Sequence, residues 1–493
     1  MTEKKEEFSE EIKEARKNLS DTIVETKHSM EIDGKKYDYL ARVGKIVMKK
    51  EEDTKTPQPV SEIFFIAYHL EGVKNQAKRP ITFSFNGGPG SSSVWLHLGM
   101  IGPKRVISEV REKPVPPPYV MEDNSYTMLD MTDMVFIDPV STGYSRAAPG
   151  EKAENFHTPE KDVESVGDFI RLYTSRFSRW KSPKFLIGES YGTTRAAGLS
   201  GYLQERHGMF LNGIMLISSI LNFQTARFTT GNDLPYILFL PTYAATAYYH
   251  KKLDTKLSLK KFLAEVEEFA RAEYSFALMK GDSLTFSEKN TIAKKLHEYT
   301  GLSVKYLNDT NLRINIHRFT KELLRSDGRT IGRLDTRYLG YDRDSVGEHY
   351  EYDPSYAAIL GPYTATFNDY IREDLGYESD QTYEIIANIW ESWKYDKQMN
   401  EFLDVGETLR KAMSMNAALK IFVANGRFDL ATPYFATEYT FKHMFLKPEL
   451  KKNITMKYYD AGHMMYLNMF SLHKLKKDLK KYFSTAYAGA DEK

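Results

Sequence analysis

Between Lys184 and Leu203 the chain reads KFLIGESYGTTRAAGLSGYL. An unbroken apolar run, Phe185 to Ile187, stops at Gly188, and helical spacing of apolar residues begins after Gly192. An apolar run without polar alternation marks a strand buried on both faces, so this stretch predicts a strand, a sharp turn and a helix. Similar runs occur at Glu62 to His69, Pro80 to Asn86, Met134 to Pro139, Gly213 to Ser219, Leu419 to Asn425 and Ile454 to Tyr459. Amphipathic stretches at Pro159 to Phe177 and around Tyr434 to Phe445 predict helices between some of them. Earlier, Ser29 to Met48 alternates about Asp33-Gly34, a two-residue hairpin signal, and Glu51 to Pro59 reads as a charged loop. An antiparallel start followed by strand-helix alternation predicts an α/β protein. Its sheet is mixed but mostly parallel, with helices on both faces.

The alternation lapses between about Phe223 and Tyr383. The pattern there predicts helices at Leu257 to Leu278, Ser287 to Tyr299 and Lys321 to Ser326, an aromatic segment near Tyr350 to Tyr363, and no buried strand. So long a stretch is not a structureless loop. The expected organisation is therefore a charged N-terminal extension (1–27, read as helical), a first part of the core (28–222), a mostly helical cap insertion (223–383) and a second part of the core (384–493).

Composition narrows the chemistry. A formal net charge of +1 gives no global field to recruit nucleic acid, and no aromatic-basic stripe stands out. The chain has no cysteine, which removes disulfides, thiolate zinc sites and thiol nucleophiles. No metal or cofactor motif is present: Gly87 to Gly90 resembles a phosphate loop but lacks its Lys-Ser/Thr ending. No run of about 18 apolar residues predicts a membrane span. The charged start lacks the apolar core of a signal peptide, so the expected compartment is cytoplasmic, or periplasmic or secreted if a leader was removed.

Gly188-Glu189-Ser190-Tyr191-Gly192, set between strand and helix, has the form of a nucleophile elbow, in which a serine sits on a tight turn between glycines. A serine hydroxyl needs a base to take its proton, and an imidazole held by a carboxylate serves that purpose. Of twelve histidines, only His463 follows a buried strand downstream of Ser190 with a glycine before it. The strand ending at Asn425 leads to Asp429, thirty-four positions earlier, a spacing that suits one strand-helix-strand step. Asp460, on the same loop as the histidine, is the rival acid. The expected catalytic set is Ser190, Asp429 and His463. The oxyanion would take N–H donors from Tyr191 and from the Gly-rich loop, most naturally at Gly88.

With these motifs assembled, the sequence resembles the serine carboxypeptidase family of the α/β-hydrolase fold. It carries Asn86-Gly87-Gly88-Pro89-Gly90-Ser91-Ser92-Ser93, Gly188-Glu189-Ser190-Tyr191-Gly192, the loop Asp138 to Ser145 and Ala461-Gly462-His463-Met464 where the family has its own versions. It departs at Ser84, Ser91, Met100 and Thr432, where many members have tryptophan, cysteine, glutamate and cysteine. The resemblance implies removal of single residues from peptides with a free C-terminus, with Asn86 and Glu189 holding the terminal carboxylate. An amide and a protonated glutamic acid can both donate to a carboxylate, whereas an ionised glutamate would repel it. Trp95 and His97 are expected in the core rather than the pocket. An esterase or acyltransferase on the same scaffold, and a non-catalytic binding protein that kept the fold, are the competing readings.

Overall fold

The structure is a computed structural model that describes residues 2–52, 55–108, 112–395, 398 and 400–487. Nine strands form the body of its main sheet: β1 (Thr22–Ile32), β2 (Lys35–Glu52), β3 (Lys55–Leu70), β4 (Ile81–Phe85), β5 (Asp133–Ile137), β6 (Lys184–Ser190), β7 (Gly213–Ser219), β8 (Lys420–Gly426) and β9 (Ile454–Tyr459). Their spatial order is β1-β2-β3-β5-β4-β6-β7-β8-β9, with Arg146–Ala147 adding a short pairing to β3. Pairs from β1 to β5 across β3 are antiparallel, and those from β5 through β4 to β9 are parallel.

The period-2 geometry of β6 divides its side chains between two apolar layers. Phe185 and Ile187 join Met215, Ile217 and Phe422 against the C-terminal helix Met469–Ala486. Leu186 joins Leu216 and Val423 against the helices Pro159–Arg176 and Tyr191–His207. Both faces of the strand are therefore dry, as its unbroken apolar run predicts.

The hairpin forms at Asp33-Gly34 with both residues at positive φ, 51° and 76°. The charged loop expected at Glu51 to Pro59 does not form as such. β2 and β3 continue their ladder beyond the body of the sheet, with Lys50 paired to Gln58 and Glu52 to Lys55 across two register shifts. Backbone pairing satisfies the main chain there whatever the side chains prefer, and bulges absorb the misfit. Residues 53 and 54 of that expected loop lie outside the described residues. The N-terminal charged helix ends at Lys17, and β1 begins at Thr22.

The stretch between β7 and β8 is mainly helical, including Leu234–Tyr249, Leu259–Phe269, Phe286–Thr300, Ile316–Glu322 and Pro354–Glu373. Two short strands, Thr330–Ile331 and Leu339–Gly340, pair within it. Much of this stretch packs as a cluster of its own, together with Phe428 and Leu430 from the loop after β8 and Tyr434 at the start of the helix Tyr434–His443. Its last long helix instead inserts Ile359, Tyr363 and Phe367 into the sheet's own apolar layer. Among the described residues no helix is long and apolar enough to cross a membrane.

Candidate active site

Because β4, β6, β8 and β9 run parallel, their carboxyl ends lie along the same side of the sheet. β6 ends at Ser190, whose backbone sits at φ 59°, ψ −128°, a region costly for a non-glycine residue, roughly 1–3 kcal/mol. The turn is possible because its neighbours lack side chains: a Cβ on Gly188 would lie 2.1 Å from the Gly192 carbonyl oxygen. The Gly-rich loop after β4 runs against the same turn, so closely that a Cβ on Gly87 would lie 2.4 Å from the Tyr191 nitrogen. Arg195, from the first turns of the following helix, fixes this approach. Its guanidinium donates to the Asn86 carbonyl at 2.6 Å and pairs with buried Asp162 at 2.8 Å. The loop at Asp138 braces the other flank, accepting from the Ser93 N–H at 2.8 Å.

The loops after β8 and β9 bring two further residues together. His463 Nδ1 donates to Asp429 Oδ2 at 2.7 Å, with the carboxylate fully buried. Asp429 also accepts from the Ala431 and Thr432 N–H groups at 2.7 and 3.0 Å and from the Thr432 hydroxyl at 2.7 Å. Burial alone would push Asp429 up, but the His463 ring and the Thr432 donors hold it below the usual carboxylate range. Burial likewise presses His463 down, yet Asp429, its hydrogen bond and Glu189 raise it above its ordinary value. The rival Asp460 is three-quarters exposed and pairs with Arg427 at 3.1 Å.

Ser190, His463, Gly88, Asn86 and Glu189 all line one cavity of about 360 Å³. Asp429 stands behind the ring rather than in the cavity, and Tyr191 turns its ring away to pack edge-on against Trp393 at 5.4 Å. Among the described residues no hydrogen bond joins Ser190 Oγ to the His463 ring. Glu189 is 3% exposed, and its Oε2 accepts from the Tyr466 hydroxyl at 2.6 Å. Burial pushes its carboxyl up to about 7, against the opposing pull of the His463 ring, Tyr466 and the Asn86 amide. Asn86 Oδ1 is itself occupied by the Leu96 N–H at 3.0 Å, which orients the amide.

Both residues expected in the core are buried there. His97 is bonded to the Tyr68 hydroxyl at 2.7 Å, and Trp95, a member of the sheet's apolar layer, also reaches the cavity with one side and donates to Ser91 Oγ at 2.9 Å. Met100 is buried in the apolar core. Sequence reasoning missed Tyr466, although it lies three residues after His463 in the same loop, close enough to have been tested as a partner for a buried acid. It also missed Arg333 and Trp390, which reach the cavity from segments without a recognisable motif. Among the described residues no group of three or more His, Asp or Glu side chains is arranged to hold a metal ion.

A profile of the peptidase S10 family, the serine carboxypeptidases, matches residues 54–475. The chain belongs to the serine carboxypeptidase family. Its relatives include a carboxypeptidase Y homolog of Arthroderma benhamiae, 31% identical over 167 residues, which is 33% of this chain and 30% of the relative. The lysosomal protective protein of Mus musculus is 26% identical over 196 residues, 39% of this chain and 36% of the relative. In these matches the chain thus spans about a third of each relative's length. Among solved structures, Kex1Δp, a prohormone-processing carboxypeptidase from Saccharomyces cerevisiae, superposes with a TM-score of 0.55 at 16% identity, covering 90% of this chain and 91% of that one. The fold of this family member is that of the α/β-hydrolases.

Proposed function

We propose that this family member is a serine-type carboxypeptidase that removes single residues from the free C-terminus of peptides through an acyl-enzyme on Ser190. The observation that carries the reading is the hydrogen bond between His463 and Asp429, with the ring lining the same cavity as the strained Ser190. Ser190 Oγ attacks the scissile carbonyl while His463 Nε2 takes its proton. The Asp429 carboxylate fixes the tautomer and stabilises the imidazolium. The tetrahedral oxyanion accepts from the N–H groups of Gly88 and Tyr191, the latter at a helix N-terminus where the backbone dipole favours negative charge. Collapse expels the amino acid, which takes its proton from His463. Water, deprotonated by the same ring, then releases the shortened peptide.

The exopeptidase part rests on Glu189 and Asn86. With its carboxyl pushed up to about 7, Glu189 is largely protonated in mildly acidic solution, so it and the Asn86 amide can both donate to a terminal carboxylate. We assign residues 223–383 as a cap over this site, a reading supported by the cavity residues Arg333, Tyr350 and Tyr356 that it supplies. Intact-mass measurement after treatment with a serine-directed phosphonate tests the nucleophile. One adduct per chain is expected, lost in Ser190→Ala; no adduct, or one that survives the substitution, sinks the assignment. Comparing a simple ester with peptides separates peptidase from esterase.

A further inference from the structure

Arg333 lies on the segment between β7 and β8, just after the short strand Thr330–Ile331, and its half-buried side chain lines the cavity with Ser190 and His463. Its backbone is tied to both loops that carry the catalytic pair. The Arg333 carbonyl accepts from Leu430 N–H at 3.0 Å, next to Asp429, and the adjoining Leu334 carbonyl accepts from His463 N–H at 2.7 Å. Gly462 N–H donates to Asp335 Oδ2 at 2.9 Å, and a Cβ on Gly462 would lie 2.5 Å from the Leu334 oxygen. The position of Arg333 relative to His463 is therefore set by main-chain bonds on two sides.

Among the described residues its charge, by contrast, meets no carboxylate. Most other arginines of the same segment, Arg313, Arg318, Arg325 and Arg337 among them, pair with a carboxylate, and Arg227 and Arg329 lie over the rings of Phe223 and Tyr341. Arg333 forms no ion pair among the described residues. The nearby Asp353, which also lines the cavity, is already engaged. It accepts from the N–H groups of Arg333, Leu334 and Ser355 and from the Ser355 hydroxyl. A guanidinium beside a cavity and without an ion pair is placed to meet an arriving anion, and its planar fork matches a carboxylate.

We infer that Arg333 is a specificity-determining residue that pairs with a carboxylate of the bound peptide. This rests on the carboxypeptidase reading above for the identity of the ligand. The carboxylate is either the C-terminal one or the side chain of an acidic residue beside the scissile bond, and substrate choice tells them apart.

The test compares wild type, Arg333→Gln and Arg333→Lys on blocked dipeptides with a neutral last residue, with a terminal Glu, or with a penultimate Glu. A blocked amino-acid ester without any carboxylate serves as reference. The ratio of peptide to ester kcat/KM is expected to fall roughly ten- to a hundredfold in Arg333→Gln, through KM, with part of it restored in Arg333→Lys. A fall shared by all free-C-terminal peptides assigns the terminal carboxylate, and a fall confined to Glu-containing ones assigns the side chain. An unchanged ratio for every peptide overturns the inference. Tryptophan-fluorescence titration of the same peptides on Ser190→Ala, with and without Arg333→Gln, keeps the question separate from turnover. If wild type cleaves the ester but no peptide, the carboxypeptidase reading fails, while tighter peptide binding by Arg333 than by Gln would still support the pairing and equal binding would end it.

Discussion

The hydroxyl of Tyr466 donates a 2.6 Å hydrogen bond to Oε2 of Glu189, the buried carboxyl next to Ser190. That bond favours the ionised form, while burial favours the neutral form and prevails, leaving the group at about 7. If the neutral acid binds the substrate carboxylate, KM for a blocked dipeptide should fall as pH drops through about 7. In Glu189→Gln that limb should vanish. Tyr466→Phe removes a donor to the ionised form, so the limb should move to higher pH; a move to lower pH would contradict the assignment. Steady-state kinetics between pH 5 and 9 reads all three.

The same shift carries a stability cost. Glu189 binds its proton more tightly in the folded protein than in the unfolded chain, whose ordinary value is 4.5. Its contribution is therefore fully present below pH 4.5 and is lost as pH rises through about 7. Above that, an ionised Glu189 should cost on the order of 3 kcal/mol. Glu189→Gln should accordingly raise Tm more at pH 8 than at pH 4.5, measured by calorimetry in matched buffers. An equal change at both values would show that the carboxyl titrates normally.

Asp429→Asn keeps the size of the side chain but offers His463 the wrong hydrogen-bonding partner, freeing the opposite tautomer. kcat should drop about 10⁴-fold, with KM little changed. Pre-steady-state acylation by an activated ester measures the step directly, and a loss under tenfold would mean that Asp429 does not orient the ring.

Arg195 joins the elbow helix to the Gly-rich loop through the Asn86 carbonyl and holds buried Asp162. Arg195→Ala leaves that carboxylate without its partner, and should lower unfolding stability by about 3–5 kcal/mol. Chemical denaturation at neutral pH checks it; a loss below about 1 kcal/mol would mean that water or neighbouring groups replace the guanidinium.

Much of this arrangement can be read from the chain because it is local. The run Phe185 to Ile187 and the glycines at 188 and 192 specify a buried strand ending in a tight turn, and that is the geometry of β6 and Ser190. The Asp429 and His463 loops follow likewise from two paired strands, although β9, read as buried, is the half-buried edge strand of the sheet. What the sequence conceals is set by distant packing. Glu51 to Pro59 has loop-like composition, but β2 and β3 each offer the other a ladder, and pairing wins. Arg333 is one of several arginines in a motif-poor segment, and the main-chain bonds of Arg333 to Leu430 and of Leu334 to His463 put it beside the cavity. The helix Pro354–Glu373 contains Pro362 and a mixed pattern, yet it buries Tyr363 and Phe367 in the sheet's apolar layer.

The most direct test of the central claim is mass spectrometry of one defined peptide, supplied with a free C-terminus and as its C-terminal amide, after incubation with the protein. Stepwise loss of single residues from the free C-terminus, absent with the amide and absent in Ser190→Ala, is the result predicted here. Internal cleavage, equal attack on the amide, or a ladder that persists in Ser190→Ala would contradict it.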